Sequence, residues 1–356
     1  MSNCLGDKYR LTIFGQSHSP AIGGVIEGVP AGVSPDMEFI RAFMARRAPG
    51  GILSTARRES DIPEILSGLN DRGRTCGAPL AFVICNADAR STDYDELRDV
   101  PRPGHADYTA AIKFNGENDI RGGGQFSGRL TAPLCFAGAL AMQLLRARGV
   151  QVRARVYSVA GIRDSEMDLA HPDLETISRG RLPCLNPEAG ARMAAAIELA
   201  RSEGDSVGGV VECFAVGLPA GLGEPMFDGV ENRLARALLG IPAVRGVEFG
   251  LGFRAAEMRG SEHNDAFRMA DGAITCETNR HGGALGGITS GMPLVVRVAF
   301  KPTPSIALPQ QSVSLSRRAD AGLVVKGRHD PCIVPRAVPV VEAAVACVAC
   351  DLMLEG

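Results

Sequence analysis

Residues 121–148 read RGGGQFSGRLTAPLCFAGALAMQLLRAR, and this stretch decides the fold. From residue 130 onward apolar side chains occupy nearly the whole circumference, which predicts a helix over 130–148 that ends at Arg146, Arg148 and Gly149. Pro133 falls in the first turn, where proline is tolerated. A helix without a polar stripe is buried on all sides. We therefore expect this helix to run through the middle of the protein.

The segment in front of this helix, from Arg121 to Arg129, is a glycine-rich turn. Unpaired N–H groups and the positive end of the helix dipole favour an anion at such a position, and Ser127 and Arg129 would lie on its rim. The turn lacks the Gly-Lys-[Ser/Thr] of a P-loop and the spacing of the dinucleotide fingerprint. It predicts an anion site of another kind, and a tight helix entry that binds nothing is the alternative.

The rest of the chain alternates between apolar strand patterns and amphipathic helix patterns, which predicts an α/β (α+β) fold. A helix that Ser34 and Pro35 cap is expected to run to about residue 45, and others over 186–204, 228–239 and from about 335 onward. Strands are predicted over 10–14, 23–28, 80–86, 209–217, 246–252 and 294–300.

An internal echo suggests how these elements are organised. Residues 23–33 read GGVIEGVPAGV and residues 208–222 read GGVVECFAVGLPAGL, and a predicted helix follows each. We infer two topologically related halves, roughly 1–150 and 205–356, that pack as one domain over 1–356. Two similar turns that arose by chance are the alternative.

Composition narrows the function classes. The 356 residues carry a net charge of −2, which gives no broad field for nucleic acid or an anionic membrane. No apolar run is expected to reach the roughly 18 residues that a membrane helix needs, and no secretory signal is visible in residues 1–10. The ten cysteines are dispersed in apolar stretches, as in a reduced cytoplasmic protein. No metal-ligand spacing is seen, so no metal is expected.

Several polar loops carry residues suited to chemistry. His18, His105, His281 and His329 lie in turn-rich sequence, and histidines beside phosphate-binding arginines are suited to donate protons. Solvated surface histidines are the alternative. Ser17 and His18 are adjacent and would point apart, which disfavours a Ser–His hydrolase. The loop 301–305 follows a strand pattern and could cradle the polar edge of a cofactor, although an ordinary proline-rich turn fits equally well.

Taken in order, these loops resemble the chorismate synthase family. The resemblance spans essentially the whole chain, and its combination of motifs is far more specific than any single loop. It is carried by residues 14–18 (FGQSH), 46–50 (RRAPG), 57–61 (RRESD), 102–108 (RPGHADY), 121–129 (RGGGQFSGR), 204–208 (GDSVG), 217–225 (GLPAGLGEP), 282–291 (GGALGGITSG), 301–303 (KPT) and 327–332 (GRHDPC).

The resemblance implies a lyase that converts 5-enolpyruvylshikimate 3-phosphate to chorismate and phosphate by 1,4-anti elimination. It also implies a requirement for reduced FMN, which donates electron density transiently and takes the C6 proton without net redox change. The implied fold is a β-α-β sandwich with helices between sheets, assembled as a homotetramer. The compact chain lacks insertions for a built-in reductase, so we expect an external flavin reductase to supply reduced flavin and NADPH alone not to drive turnover.

Site residues follow from the resemblance position by position. His18 is implied to be the acid near the departing phosphate, and His105 the proton donor to the flavin. Asp330, helped by Ser17 and Ser127, is implied to form the relay that deprotonates the flavin. The arginines implied to hold substrate phosphate and carboxylates are Arg47, Arg102, Arg129 and Arg328. The residues implied to contact flavin are Gln125, Phe126, Ser127, Ala243, Gly286, Lys301, Pro302, Thr303, Pro304, Ser305 and Arg328.

The chain also departs from the family pattern. Gln16 and Ser19 stand where the family usually has Glu and Gly, and Pro242 stands where Asn is expected. Leu53 and the Gln125-Phe126 pair replace positions where the family usually has arginine or small polar residues. Charged hydrogen bonds contribute about 1.5–3 kcal/mol each, so these losses predict weaker flavin binding, while Phe126 offers stacking area instead. Two alternatives stay open: a diverged flavin- or anion-binding relative without elimination activity, and a structural oligomer with solvated arginine loops.

Overall fold

The computed structural model describes residues 3–49, 61–86, 96–270, 272–325 and 330–355. The helices are α1 (Met37–Arg47), α2 (Asp107–Lys113), α3 (Thr131–Arg146), α4 (Pro187–Ser202), α5 (Val230–Leu239), α6 (Gly260–His263) and α7 (Val334–Glu355). The strands are β1 (Cys4–Leu5), β2 (Arg10–Gly15), β3 (Ala21–Glu27), β4 (Pro63–Ile65), β5 (Leu80–Cys85), β6 (Gln151–Val159), β7 (Ile162–Arg163), β8 (Gly209–Val216), β9 (Val244–Phe249), β10 (Phe267–Ala270), β11 (Ala273–Cys276), β12 (Ala284–Leu285), β13 (Ile288–Thr289), β14 (Leu294–Phe300), β15 (Gln310–Ser314) and β16 (Ala319–Leu323).

Two apolar helices, α3 and α7, lie side by side at the centre of the protein and run in the same direction. Their contacts advance together along both helices: the Cys135 thiol reaches the Pro339 carbonyl near one end, and Arg148, just beyond α3, reaches the Met353 carbonyl at the other. Between these points a Cβ atom on Gly138 would lie 2.3 Å from the Cα of Ala343. Glycine is therefore required where the two helix backbones approach most closely.

Each central helix supports one five-stranded antiparallel sheet. Helix α3 contacts β2 and β3, and α7 contacts β6 and β8. In both sheets the strand residues that face the helices are buried. The ring centre of Phe82 on β5 lies 4.1 Å from that of Phe136 on α3. Buried and more exposed residues alternate along β5 with the two-residue period of the pleat, whereas β6, β8 and β14 are buried almost throughout. The layers are thus sheet, helices and sheet, which confirms the predicted β-α-β sandwich with a buried central helix.

The two sheets share one connectivity. The first has the order β1-β2-β3-β5-β4 and the second the order β7-β6-β8-β14-β9. In each, two antiparallel strands (β2 and β3, or β6 and β8) lead through a loop to a helix (α1 or α5). An edge strand (β4 or β9) follows, then the strand that inserts beside it (β5 or β14), and finally a central helix (α3 or α7). The echoed segments lie on β3 and β8, which confirms the pseudo-related halves; their exact limits and the single-domain assignment stay predictions.

Some predicted boundaries were wrong by a few residues. Helix α1 begins at Met37 rather than after Ser34, because the carboxylate of Asp36 accepts a hydrogen bond from the backbone N–H of Phe39 at 2.9 Å. Asp36 is thus the N-cap, and the segment before it is non-helical. Asn186 does cap α4, as predicted, by accepting from the N–H groups of Glu188 and Ala189.

The expectation about apolar length also needs correction. Two segments, 128–146 and 334–355, are long and apolar enough by composition to cross a membrane. In this structure 72% of the most apolar stretch of the first segment and 89% of that of the second are buried, because the two segments form the central helices of the sandwich. Their apolar character is therefore explained by the protein core, which a count of consecutive apolar residues does not reveal.

Gly138→Ala tests the helix contact. The added methyl group would meet the Ala343 backbone, so overpacking should lower the free energy of unfolding by about 1–3 kcal/mol, measured by urea denaturation. Gly260→Ala is the control, since no atom lies within 4 Å of its added Cβ position. Equal denaturation midpoints for the two variants would contradict the close approach of α3 and α7.

Candidate active site

The glycine-rich turn before α3 lies between two of the predicted histidines. Gly122, Gly123 and Gly124 all have positive φ, at 59°, 83° and 54°. A Cβ atom on Gly122 would lie 2.3 Å from the Cε1 atom of His18, and one on Gly123 would lie 3.2 Å from the Nε2 atom of His105. The turn therefore needs glycine for its backbone angles and for space, and it brings both histidines into one site.

The loop after β2 places Ser17 and His18 against this turn. Both side chains are buried, with 4% and 9% of their surface exposed. The backbone N–H of Ser17 donates to the carbonyl of Gly124 at 3.1 Å. The Ser17 hydroxyl makes no hydrogen bond to any residue that the structure describes. A buried hydroxyl without a protein partner is costly, which makes it a natural contact for a bound ligand.

On the other side of the turn, Asp107 organises Arg102 and His105. Its carboxylate accepts from Arg102 Nε at 2.7 Å and NH2 at 2.8 Å, and its Oδ1 lies 2.5 Å from His105 Nδ1. Burial alone would raise the pKa of Asp107, but the hydrogen bonds from Arg102 and His105 outweigh it and hold the pKa well below its ordinary value. An ionised carboxylate thus fixes the histidine ring with Nε2 toward Gly123.

A second buried carboxylate, that of Asp61, lies between Arg47 and Arg129, the other two predicted substrate arginines that the structure describes. Asp61 is 3% exposed, Arg47 is 3% and Arg129 is 6% exposed. Asp61 accepts from Arg47 Nε at 3.0 Å and also from the Arg47 NH2 and Arg129 NH1 groups. Burial alone would raise the pKa of Asp61, but the positive charges of Arg47 and Arg129 outweigh this effect and hold the pKa below its ordinary value. One carboxylate between two guanidinium groups leaves a net charge of about +1 in this cluster.

Both central helices begin beside Arg47. Its NH1 group lies 3.5 Å from the hydroxyl of Thr131, the first residue of α3. Its carbonyl accepts from the Nε of Arg336 at 2.9 Å, and Arg336, in the first turn of α7, binds the carboxylate of Asp330 at 2.5 Å. Two helix N-termini, with their positive dipole ends, therefore converge on one arginine, which favours an anionic ligand.

The loop after β14 completes the cluster. The Lys301 backbone N–H donates to the carbonyl of Ala243 at 3.0 Å, and its ammonium group donates to the carbonyl of Gly104. Arg102 NH1 donates to the hydroxyl of Ser305 at 3.1 Å. This predicted flavin loop thus lies directly against the loop that carries His105.

Within the same loop, Thr303 is held through its backbone. Its carbonyl accepts from the hydroxyl of Ser206 at 2.7 Å, whereas its own buried hydroxyl makes no hydrogen bond to any described residue. Pro304 lies 3.6 Å from the position of a Cβ on Gly104, and Pro302 packs against Gly208. The loop therefore offers a rigid backbone and an unsatisfied hydroxyl, as a polar ligand would require.

Comparisons with known proteins agree on one family. The sequence profile described as chorismate synthase matches residues 9–354. The chain is 51% identical to the chorismate synthase of Korarchaeum cryptofilum (strain OPF8) over 353 residues, which covers 99% of this chain and 97% of that protein. It is 50% identical to that of Thermococcus gammatolerans over 349 residues, covering 98% and 97%. A crystal structure of a chorismate synthase matches with a TM-score of 0.77 and 29% identity, covering 98% of this chain and 93% of the other.

The chain belongs to the chorismate synthase family. This membership confirms the resemblance seen in the loops, the fold predicted from it and the enzyme class, a lyase. The roles of individual residues are not tested by these comparisons.

Of the other predicted site residues of this chorismate synthase family member, Gln125, Phe126 and Ser127 belong to the glycine-rich turn, whereas no contact with a described residue joins Gly286 to the cluster. The hydroxyl of Ser127 accepts from the N–H of Arg129 at 3.3 Å. Gln125 is half-buried, and Phe126 is 37% exposed. Gly286 has φ of 63° in the tight turn between β12 and β13, next to Gly287, which packs against Glu224 and Gly229. Arg328, His329 and Leu53 lie outside the described residues.

Four site residues had no role assigned from sequence. Asp61 and Asp107 neutralise the arginines, Arg336 links Asp330 to Arg47, and Asn86 accepts from Arg129 Nε at 2.9 Å. Asp107 follows Arg102 by five residues within one motif, and this short spacing could have indicated a local ion pair. Asp61, Asn86 and Arg336 meet the site only through tertiary packing, for which a single sequence gives no signal.

Three carboxylates cluster elsewhere in the described part of the chain, outside the candidate active site. Asp7, Asp351 and Glu355 have carboxylate oxygens within 4.8 Å of one another at the end of α7. Asp351 accepts from the backbone N–H groups of Lys8 and Tyr9 at 2.6 and 2.7 Å, and Arg233 binds Glu355 at 2.6 Å. These partners explain the cluster as an anchor between the N-terminal segment and α7.

Asp61→Asn tests the carboxylate between the arginines. Removal of the charge leaves two buried guanidinium groups poorly compensated, so the free energy of unfolding should fall by about 3 kcal/mol or more at neutral pH, in urea titrations. The lowered pKa of Asp61 means that its ionisation stabilises the fold above about pH 4, and this contribution is lost as the pH falls through the lowered value. Wild-type stability should thus fall more steeply below pH 4 than that of the variant.

The control is Asp71→Asn, which changes an exposed carboxylate in a turn. It should leave both the midpoint and its pH dependence close to wild type. If Asp61→Asn behaved in the same way, Asp61 would not hold the two arginines.

Proposed function

We propose that this protein converts 5-enolpyruvylshikimate 3-phosphate to chorismate and phosphate by 1,4-anti elimination with reduced FMN. The observation that carries the proposal is the triple-glycine turn, which holds His18 and His105 on either side of the entry to α3. Proton donors on both sides of a turn that lies beside buried arginines suit a reaction in which an anionic group departs and a proton moves.

The arginines bind and orient the substrate in this proposal. Arg47 and Arg129 share Asp61, so their planes are fixed before a ligand arrives, and Arg102 is fixed in the same way by Asp107. Preorganised guanidinium groups bind phosphate and carboxylate without the cost of ordering long side chains. With Arg328, they would hold the substrate phosphate and carboxylates and stabilise the charge that develops as phosphate leaves.

The proton roles follow from the same geometry. Asp107 accepts the proton on Nδ1 of His105, and Nε2 is the atom that faces the glycine turn. As an imidazolium, with both ring nitrogens protonated, His105 donates the Nε2 proton there and Asp107 stabilises the positive charge of the ring. His18 lies on the other side of the turn and is assigned to the departing phosphate. Asp330, with Ser17 and Ser127, is assigned to the proton relay; Asp330 is oriented by Arg336 and Ser127 by the N–H of Arg129.

The residues present fit reduced FMN. The buried hydroxyls of Ser17 and Thr303 lack hydrogen-bond partners among the described residues, and a polar ligand that reached them would supply those hydrogen bonds. When bound, reduced FMN supplies electron density for the elimination and accepts the C6 proton. The residues assigned to hold it are Gln125, Phe126, Ser127, Ala243, Gly286, Lys301, Pro302, Thr303, Pro304, Ser305 and Arg328.

We further propose a cytoplasmic homotetramer that receives reduced flavin from an external flavin reductase. Support for self-association comes from the hairpin of β10 and β11, which exposes Phe267, Met269 and Ile274, and from the exposed Phe253. Large apolar side chains grouped on a protruding ribbon are typical of surfaces that become buried on association.

A second candidate is a diverged relative that binds flavin or another anion without elimination. The Gln125-Phe126 pair favours it, because the exposed ring of Phe126 stands where the family usually places charged or small polar residues. The two candidates differ in turnover and not in fold.

Phosphate release is the deciding experiment. The purified protein, supplied anaerobically with dithionite-reduced FMN and 5-enolpyruvylshikimate 3-phosphate, should release phosphate and form chorismate. NADPH in place of dithionite should give no turnover without an added reductase. Absence of phosphate release beside a working enzyme from another source would reject the first candidate, and flavin binding without release would support the second.

His105→Ala should lower turnover at least tenfold, because loss of a general acid typically costs about 10²–10⁴-fold. The circular dichroism spectrum should remain that of a folded protein. His171→Ala, which removes an exposed histidine in a turn outside the cluster, is the matched control and should keep wild-type turnover. Unchanged turnover in His105→Ala would remove the proposed role of this residue.

A further inference from the structure

A cavity of about 500 Å³ opens on a different part of the protein from the histidine loops. It lies between α1, α3, the start of β6 and the segment 174–183, and a carboxylate of α7 forms part of its wall. None of the residues assigned above to substrate or flavin lines it. Its volume is within the range of about 300–1,000 Å³ that small-molecule sites usually have.

The cavity carries an excess of positive charge. Four arginines line it, at positions 46, 146, 153 and 179, against two glutamates, at 175 and 342. The buried Glu342 binds Arg46 at 2.6 Å, and the exposed Glu175 binds Arg179 at 2.9 Å. Each of the two carboxylates that line the cavity therefore already has an arginine as its ion-pair partner.

The other two arginines keep most of their charge uncompensated. Arg153 NH2 donates to the Ile177 carbonyl at 2.6 Å, and its closest carboxylate, on the exposed Glu175, is 3.8 Å away. Arg146 has no carboxylate within ion-pair distance in the part of the chain that the structure describes. Its guanidinium carbon lies 4.9 Å from the ring centre of Phe39. The guanidinium groups of Arg146 and Arg153 thus form part of the cavity lining, and their N–H groups are donors suited to an anion.

The remaining lining is mostly apolar and partly aromatic, with Gln151 and Ser178 as its polar members. The rings of Phe39 and Phe43 lie 6.1 Å apart, and Arg46 stacks over Phe43 at 5.4 Å. Met142 and Leu174 also line the space. Flexible methionine and stacked arginine-phenylalanine pairs accommodate a flat apolar group.

We propose that this cavity binds a small aromatic carboxylate. Its ring packs against Phe39, Phe43 and Met142, and its carboxylate is bound by Arg146 and Arg153. The combination of an apolar wall with a few convergent charged groups is the usual composition of a ligand site. An inorganic anion would use only the arginines, and an uncharged aromatic molecule only the wall.

The test uses 3-phenylpropionate as the probe on the full-length protein, without turnover. Calorimetry should detect binding, and Arg146→Met and Arg153→Met should each raise the dissociation constant about tenfold or more. Arg192→Met, an exposed arginine of α4 away from the cavity, should bind as wild type does. The amide 3-phenylpropanamide and inorganic phosphate should each bind at least tenfold more weakly at this site.

Location is checked separately, because the arginines of the candidate active site could also attract a carboxylate. In protein with ¹³C-methyl methionine, the Met142 signal, assigned by Met142→Leu, should shift on titration, while the Met292 signal should not. Binding that leaves Met142 unchanged, binding unaffected by Arg146→Met, equal binding of phosphate, or no binding at millimolar probe would each overturn the proposal. If Arg153→Met does not fold, Arg146→Met decides, since Arg146 makes only the stacking contact described.

Discussion

The contact between α3 and α7 is the constraint on which the rest of the structure depends. Because Gly138 has no side chain, the backbones of α3 and α7 can approach each other closely at Ala343. Each helix also presents a surface on which a sheet packs. A larger residue at 138 would push the helices apart and separate the two sheets that pack on them. The site depends on the same contact, since its loops are attached to the N-terminal ends of both helices.

Two buried carboxylates, those of Asp61 and Asp107, then fix the positions of the arginines in the candidate active site. Arg47 and Arg129 would be costly to bury alone, and Asp61 makes their burial possible while it leaves the cluster positive. Asp107 does the same for Arg102 and also orients His105. Fixed guanidinium groups in a site shielded from water interact strongly with an anion and need little rearrangement when it binds. In the proposed function, stability and ligand recognition therefore rest on the same ion pairs.

Sequence alone predicted those features that local pattern determines. The unbroken apolar surface of residues 130–148 indicated a central helix, and the echo on β3 and β8 indicated two related halves. The histidine and arginine loops were found because their order resembles one family. The pairing of Asp61 with Arg47 and Arg129 and the link from Asp330 through Arg336 could not be predicted in this way. Each arises from packing between segments far apart in the chain, and periodicity carries no information about such partners.

The repeated connectivity also explains why the proposed anion site lies where it does. Equivalent central helices that run in the same direction and meet at Gly138 and Ala343 must begin at the same side of the protein, since each contact point lies about seven residues, or ~10 Å, from the first turn of its helix. Thr131 of α3 and Arg336 of α7 accordingly both reach Arg47. One helix N-terminus attracts an anion weakly in water, whereas two that converge on buried arginines reinforce one another. The repeated connectivity thus brings the N-terminal ends of two helices beside buried arginines, an arrangement that neither half would form alone.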